Sequence, residues 1–477
     1  MTFDREIEAF IKNFAKDLEE GHVAIFAGAG MSKAIGYVNW PELLTDIADE
    51  LGLSVNKEHD LISLAQYHVT FKGNNSGLAK KILQEFSEQA EESDTHKILA
   101  RLPIPTFWTT NYDNVIENAL ENALKIVDIK HSVGQLSDAK PKRDVVVYKM
   151  HGDVTLPREA VISKEQYENY YRDHEGFITA LSSDLLSKTF LFVGFSFTDP
   201  NLDYVLSRLR LSAPIRDHYC FMKKEIKSPE DDDEIFRYKT RKQELKVLDL
   251  KRYKIQTLLI DDYNSIPIIL TEIERRFRKK TIFISGSAEE YGTFGKQSAL
   301  SFIHSLSKKI IALNFRIVNG FGWGVGSAVI NGALEAIYEN PRKCSEDQLI
   351  IKPFPQFETS NKKLPELWEE YRQRMISLAG VAIFLYGNKR DDKGNIVSAN
   401  GVSREFEIAL QHGLVPIPIG ATGYVSQELW KTARAEIQNA FKSHPKFLAL
   451  YDKLEDEQKT PDELLEVVIA MLKELQK

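Results

Sequence analysis
Gly28-Ala29-Gly30-Met31-Ser32 follows the apolar run His22–Ala27 and opens a helical pattern. Two glycines at such a junction remove side chains where the backbone turns sharply. A strand that turns directly into a helix is the opening unit of a doubly wound α/β fold. Three further stretches repeat the placement. Thr109-Thr110-Asn111-Tyr112-Asp113 ends the run Ile104–Thr109, His151-Gly152 follows Asp144–Met150, and Gly194-Phe195-Ser196-Phe197 ends the run Phe190–Phe195. In a parallel sheet such ends gather at one edge, where nucleotides bind. A glycine turn, an amide, an imidazole and a second Gly/Ser loop then converge on one pocket. These residue types suit cleavage of a dinucleotide better than hydride transfer, because the turn lacks the full GxGxxG pattern and no redox pair stands out.

The totals set the bounds. A chain of 477 residues exceeds one ordinary core, so two or three domains are expected. Hydrophobic content of 43% and charged content of 27% fit a soluble globular protein. The net charge of -7 argues against a dedicated nucleic-acid binder. No apolar run reaches the length of a bilayer span. Met1–Glu20 alternates charges with aliphatics, the pattern of an amphipathic helix rather than a signal peptide, so a cytoplasmic location without membrane contact is expected. The two cysteines, Cys220 and Cys344, form no CxxC pair; a four-cysteine zinc site is excluded, and no metal site is expected.

Strand and helix patterns alternate throughout. Beyond the four runs above, His218–Lys223 and Ile255–Ile260 complete the strands of the first half, with helices such as Trp40–Leu51 and Leu78–Glu91 between them. A basic cluster, Arg275-Arg276-Phe277-Arg278-Lys279-Lys280, ends a helix just before a new strand at Thr281–Ser285. The domain boundary is placed there, giving domains 1–278 and 279–477. Strands Phe315–Val318, Leu349–Pro353, Val381–Tyr386 and Val415–Ile419 continue the second half, and Pro461–Lys477 reads as a closing helix.

In the first half, the N–H groups around Gly28, Ala29 and Gly30 can face a pyrophosphate, with Ser32 adding a hydroxyl. A steric need for glycine in a tight turn explains the same residues. Asn111 either holds a ribose hydroxyl or water, or caps the following helix. His151 either takes a proton or is satisfied locally. In the Gly194–Asn201 loop, Gly194 permits close ligand approach while Thr198 or Asp199 caps the next helix.

Taken in order, GAG-x-S, T-x-N-x-D, His-Gly and Gly-x-Ser resemble the motifs of the sirtuin NAD-binding fold over roughly residues 8–275. The resemblance implies an NAD pocket formed by Gly28, Ala29, Gly30, Ser32, Asp113, Gly194 and Ser196, with Asn111 and His151 catalytic. The zinc cysteines of the sirtuin deacetylases are absent, which counts against a protein deacylase and leaves a zinc-free sirtuin-like deacylase as an alternative. Cleavage of the nicotinamide–ribose bond needs an oriented ribose, a placed water and little else, because nicotinamide is a good leaving group.

In the second half, Ser285-Gly286-Ser287-Ala288 and Gly320-Phe321-Gly322-Trp323-Gly324-Val325-Gly326-Ser327 end successive strands. Evenly spaced glycines at that junction permit a phosphate cradle, or simply a glycine-rich turn. Arg372, Arg374 and Lys389 suit phosphates, and Glu405 suits ribose hydroxyls or an exocyclic amine, although each also reads as surface charge. Ser403 is a candidate helix cap near Glu405 and Gly413 a candidate stop. This half resembles the SLOG fold, a Rossmann-like nucleotide-binding family. Asn400-Gly401-Val402-Ser403-Arg404-Glu405 lacks the PGG segment of the related phosphoribohydrolases, which favours a sensor.

The whole is thus read as α/β, a sirtuin-like Rossmann-type parallel-sheet domain followed by a Rossmann-like SLOG domain. That order resembles the NAD-degrading effectors of bacterial Thoeris antiphage defence. The resemblance implies that NAD+ is substrate rather than cofactor. It implies that a cyclic ADP-ribose isomer made by a TIR-domain partner enzyme is the activator. Gly286, Ser287, Gly322, Gly324, Arg372, Lys389 and Glu405 would bind that signal, and the chain would form a homo-oligomer, a tetramer. A non-catalytic NAD-sensing scaffold is the remaining alternative.

Overall fold
Val23–Ala27 is buried at all five positions. A strand with no solvent face must be covered on both sides, which is the condition of a parallel sheet between helical layers. The computed structural model, which describes residues 3–88, 90–212, 216–359 and 361–476, contains two such sheets. The chain divides into compact units at Met1–Glu274 and Arg275–Lys477, with the helix Ser265–Lys279 running across the division. Among the described residues, no helix is long and apolar enough to cross a membrane.

The first unit carries seven strands: β1 (Val23–Ala27), β2 (Thr106–Thr109), β3 (Val127–Lys130), β4 (Val145–Lys149), β5 (Thr189–Val193), β6 (His218–Lys223) and β7 (Ile255–Ile260). Their order is β3-β4-β2-β1-β5-β6-β7, with every pairing parallel. From β1 the chain adds β2, then β3 at the edge, then β4 between those two, before it crosses over to place β5 on the other side of β1. That reversal opens a crevice at the carboxyl ends of β1 and β5. Register brings the loops level: Ala27 pairs with both Thr109 and Val193, and Thr109 pairs with Lys149. Gly28, Thr110, Met150 and Gly194 therefore all start one step past a common row. Phe26, Trp108, Phe190 and Phe192 fill the core beneath that edge, each adding about 1.5–3 kcal/mol by burial.

The first sheet holds a strand that hydropathy does not announce. Val127-Asp128-Ile129-Lys130 offers two apolar residues, yet forms the edge strand β3 because Lys130 and Asp128 pair at 2.9 Å and are buried together. The expected Trp40–Leu51 helix breaks at Leu44 into Trp40–Leu43 and Thr45–Glu50, and the helix expected at Leu78–Glu91 spans Ser76–Phe86. The N-terminal amphipathic helix spans Arg5–Glu19, capped by Asp4.

The second unit has five parallel strands, β8 (Thr281–Ser287), β9 (Arg316–Asn319), β10 (Leu349–Ile351), β11 (Val381–Tyr386) and β14 (Val415–Pro418), in the order β10-β9-β8-β11-β14. Its switch point lies between β8 and β11. A short antiparallel hairpin, β12 (Asn388–Arg390) with β13 (Ile396–Ser398), follows β11 directly. The hairpin is too short and polar to show in the pattern. Its turn is held by Asp391 Oδ1, which accepts from the N–H groups of Lys393 and Asn395. The closing helix spans Pro461–Glu474.

Candidate functional site
In the first unit the glycines join two loops. A Cβ on Gly28 would lie 2.5 Å from Gly194 O, one on Gly30 2.9 Å from Gly194 Cα, and one on Gly194 2.4 Å from Met31 N. Gly194 also has φ +65°, a conformation that disfavours any side chain. Gly28 N–H donates to Val193 O and Gly30 N–H to Gly194 O, so these two amides bind the adjacent loop rather than facing outward. The turn continues into the short helix Ala29–Lys33, which buries Ser32.

Asn111 does not cap the next helix, which starts later, at Val115. Its amide instead reaches the glycine turn: Nδ2 donates to Ser32 Oγ at 2.9 Å and to Gly28 O at 3.2 Å. Ser32 Oγ donates onward to Asp113 Oδ2 at 2.7 Å, and Asp113 Oδ1 accepts from Val115 N–H. Gly28, Ser32, Asn111 and Asp113 thus form one buried polar network at the ends of β1 and β2. Ser196 stands apart from it, exposed, with its hydroxyl on Thr198.

His151 lies two residues past β4, as Asn111 lies two past β2, and is buried. Its Nε2 is 3.3 Å from Asp199 Oδ2 and 3.3 Å from Asn201 Nδ2, and its Nδ1 is 3.4 Å from the Tyr167 hydroxyl. Burial pushes the imidazole below its ordinary pKa, opposed by the Asp199 charge. A neutral ring protonated at Nε2 donates to Asp199 and accepts from Tyr167 at Nδ1, whereas in the other tautomer Nε2 accepts from Asn201 Nδ2. That arrangement suits a base whose cation, once formed, is met by a carboxylate.

In the second unit the glycines again join loops. A Cβ on Gly322 would lie 2.0 Å from Gly286 O, and one on Gly324 1.9 Å from Ala288 O. The Ser287 hydroxyl donates to Asn388 O at the base of the hairpin. Glu405 is buried, accepts from Ser285 Oγ at 2.6 Å, and lies 3.5 Å from Arg372 Nε. Burial pushes its pKa up, against the pull of Ser285 and Arg372. Arg372 covers the Phe354 ring at 4.9 Å. Lys389 is exposed on the hairpin, in contrast to the buried Glu405. Ser403 lies inside the helix Asn400–Gln411 rather than at its cap, which is Ala399, whereas Gly413, at φ +69°, follows the helix end as expected.

Comparison with known proteins covers both units. A SIR2-like domain model matches residues 105–248, and a Sir2- and TIR-associating SLOG family model matches residues 265–475. NAD(+) hydrolase ThsA of Bacillus cereus (strain MSX-D12) is 50% identical over 477 residues, spanning 99% of both chains. NAD(+) hydrolase ThsA of Acinetobacter baumannii (strain 532279) is 43% identical over 479 residues, again 99% of each. The chain belongs to the ThsA NAD(+) hydrolase family. A more distant relative, defense-associated sirtuin 2 of Bacillus subtilis, is 22% identical over 371 residues, 74% of this chain and 35% of that one. The ThsA matches run the length of the chain, so a SIR2-like domain followed by a SLOG domain is the family's arrangement here.

In this ThsA-family chain, sequence reasoning missed three residues around His151: Asp199, Asn201 and Tyr167. Asp199 does cap the helix Pro200–Ser212, through Oδ1 on Leu202 N–H, and its second oxygen is the one that meets His151. The sequence signal was the proximity of Asp199 and Asn201 to the Gly194 loop. Tyr167 carried none, since it sits mid-helix in Lys164–Asp173.

Proposed function
We propose that this chain hydrolyses the nicotinamide–ribose bond of NAD+, releasing nicotinamide and ADP-ribose. The observation that carries the reading is the level placement of Asn111 and His151 two residues beyond paired strands, beside the glycine joint at the β1–β5 crevice. In the step, the C1′–N bond breaks and its electron pair returns to the pyridine ring, discharging nicotinamide as a neutral amide. Water adds to the C1′ cation, and its proton passes to the protein. Asn111, fixed by Ser32 and Gly28, positions a ribose hydroxyl or that water. His151 receives a proton at Nδ1 from the Tyr167 hydroxyl, which takes the water's proton in turn, while Asp199 holds Nε2–H and stabilises the imidazolium.

The second unit supplies control. We read it as the site of a cyclic ADP-ribose isomer delivered by a TIR-domain enzyme, with Arg372 and Glu405 at its centre, Gly286, Ser287, Gly322 and Gly324 around the phosphates and Lys389 at the rim. An NADase active without a signal would exhaust its own cell, so the unliganded state must be the less active one. The biological role is NAD+ depletion in antiphage defence, by a cytoplasmic homotetramer. Purified protein given NAD+ with a panel of cyclic ADP-ribose isomers tests the reading. Nicotinamide release with one isomer supports it, and so does loss of that release in folded Asn111→Ala and His151→Ala proteins. Parent rates in those two variants would remove the site, and no release under any condition would leave a non-catalytic scaffold.

A further inference from the structure
Lys149 is the last residue of β4 and is completely buried. A lysine is rarely found there unless its charge is paired and its donors are used. Here they are used on two loops at once. Nζ donates to Asp113 O at 2.6 Å, to Tyr112 O at 3.3 Å and to Asn114 Oδ1 at 2.8 Å, all in the loop that carries Asn111. It also meets Asp153 Oδ2 at 2.5 Å, in the loop that carries His151, and Glu117 Oε1 at 2.9 Å, on the helix that follows Asn111. Burial opposes the charge, but Glu117 and Asp153 outweigh it and hold the ammonium's pKa above its ordinary value.

Resting on the NADase reading above, we infer that Lys149 is a positioning residue for NAD+ cleavage, whose ammonium ties the Asn111 loop to the His151 loop and sets the two side chains relative to each other. The contacts run in both directions. On one side, Asp113 is gripped through its carbonyl by Lys149 and through its carboxylate by Ser32, the hydroxyl that also receives Asn111. On the other, Asp153 is anchored by Thr155 N–H at 2.8 Å and lies two residues from His151. A fold needing only filled volume at this position would use an aliphatic side chain without burying two acids against it. With its three N–H donors and its charge, the ammonium reaches oxygen acceptors of one loop and a carboxylate of the next.

The test uses the full chain and isomer-stimulated nicotinamide release, with kcat referred to NAD+-binding sites counted by calorimetry. Lys149→Met removes the tie. Because it leaves Glu117 buried beside a methyl group, Glu117→Met/Lys149→Met is made in parallel to remove that stranded acid and keep the volume filled, with Asp153 still held by Thr155 N–H, and Lys149→Arg keeps the charge while displacing the donors. Loss of a loop tie that shifts reacting groups by about 1 Å lowers kcat about 100-fold. That loss is expected in whichever Lys149 variants fold, with KM for NAD+ changed much less. A purely structural role lowers the number of binding sites and the melting temperature but leaves kcat per site at the parent value, and that result overturns the inference. So does failure of all three variants to yield NAD+-binding protein, since the lysine would then be required for folding itself. Asn111→Ala measured alongside separates the two readings. If it cleaves at the parent rate, the site is wrong; if it is inactive while the Lys149 variants are not, only the positioning role is wrong.

Discussion

Replacing Gly194 with alanine tests whether the joint between the β1 and β5 loops is what holds the site together. Two costs act at this position, and the chain offers a control that isolates one of them. Gly194 has φ +65°, and Gly73, which ends the helix Leu61–Lys72, is left-handed too, at +72°. An alanine at either glycine is strained by about 1–2 kcal/mol in the left-handed conformation. At Gly73 the added Cβ meets nothing within 4 Å. At Gly194 it meets Met31 N at 2.4 Å, where ordinary contact begins at 3.4 Å. Backbone cannot yield as a flexible side chain does, so the two loops must part by about 1 Å, a misplacement that costs about 100-fold in rate. Gly73→Ala is therefore expected to lower the melting temperature by about 2–8 °C, at 2–4 °C per kcal/mol, with nicotinamide release unchanged. Gly194→Ala is expected to melt lower still and to lose most of its kcat. The assay is differential scanning calorimetry beside isomer-stimulated nicotinamide release from the same preparations. If Gly194→Ala melts with Gly73→Ala and keeps a kcat within about threefold of the parent, the tight joint does not position the chemistry and the reasoning fails.

Three other outcomes follow from the geometry. Asp199→Asn still caps its helix, since asparagine caps as well as aspartate, but it removes the charge that raises the His151 pKa. The acid limb of kcat/KM should move to lower pH with little change in stability; an unmoved limb, or one moved up, would show that Asp199 does not face the working base. His218 is buried, accepts Phe190 N–H at Nδ1 as a neutral ring, and is pushed down to about 3 by burial and then by Arg216. Its folded pKa lies below its unfolded value of 6.5, so its contribution is present above pH 6.5 and is lost as pH falls toward 3. His218→Gln should flatten the urea stability difference between pH 7 and pH 5 by about 2 kcal/mol, and an unchanged difference would place the acid sensitivity elsewhere. Arg372→Ala removes the cation beside buried Glu405 and over Phe354, and should weaken binding of the activating cyclic ADP-ribose isomer by about 30-fold or more. Unchanged affinity by calorimetry would exclude Arg372 from the signal site.

The contrast between Gly194 and Asp199 shows what a sequence can and cannot disclose about such a site. Gly28, Gly30 and Gly194 stood out because a glycine at a strand end has few explanations, and a close backbone approach is one of them. Asn111 and His151 stood out for the same positional reason. The strands that carry them were legible wherever both faces are buried, as in β1, β5 and β11, because such runs are continuously apolar. Where a strand lies at an edge and carries paired charges, as Asp128 and Lys130 do in β3, the alternation covers only Val127 and Ile129, too short a run to stand out beside the continuously apolar strands.

Partnership was the harder property to read. Local context offers Thr198 or Asp199 as the cap; Asp199 takes that duty with one oxygen, and the context is silent about the other, because a carboxylate has acceptors for two duties and local sequence accounts for only one. Lys149 ends a buried strand, and nothing in Val145–Lys149 distinguishes a lysine that reaches solvent from one that meets Asp113, Asn114, Glu117 and Asp153. Asp153 is local, four residues on, but Asp113, Asn114 and Glu117 are set by the order β4-β2 in the sheet, since only adjacent parallel strands bring the segments after Thr109 and Lys149 side by side. The candidate chemistry was legible because it resides in residue type at strand ends. The groups that orient it were not, because they depend on which strand lies next to which, and in a doubly wound sheet that order follows from the crossovers rather than from any single segment.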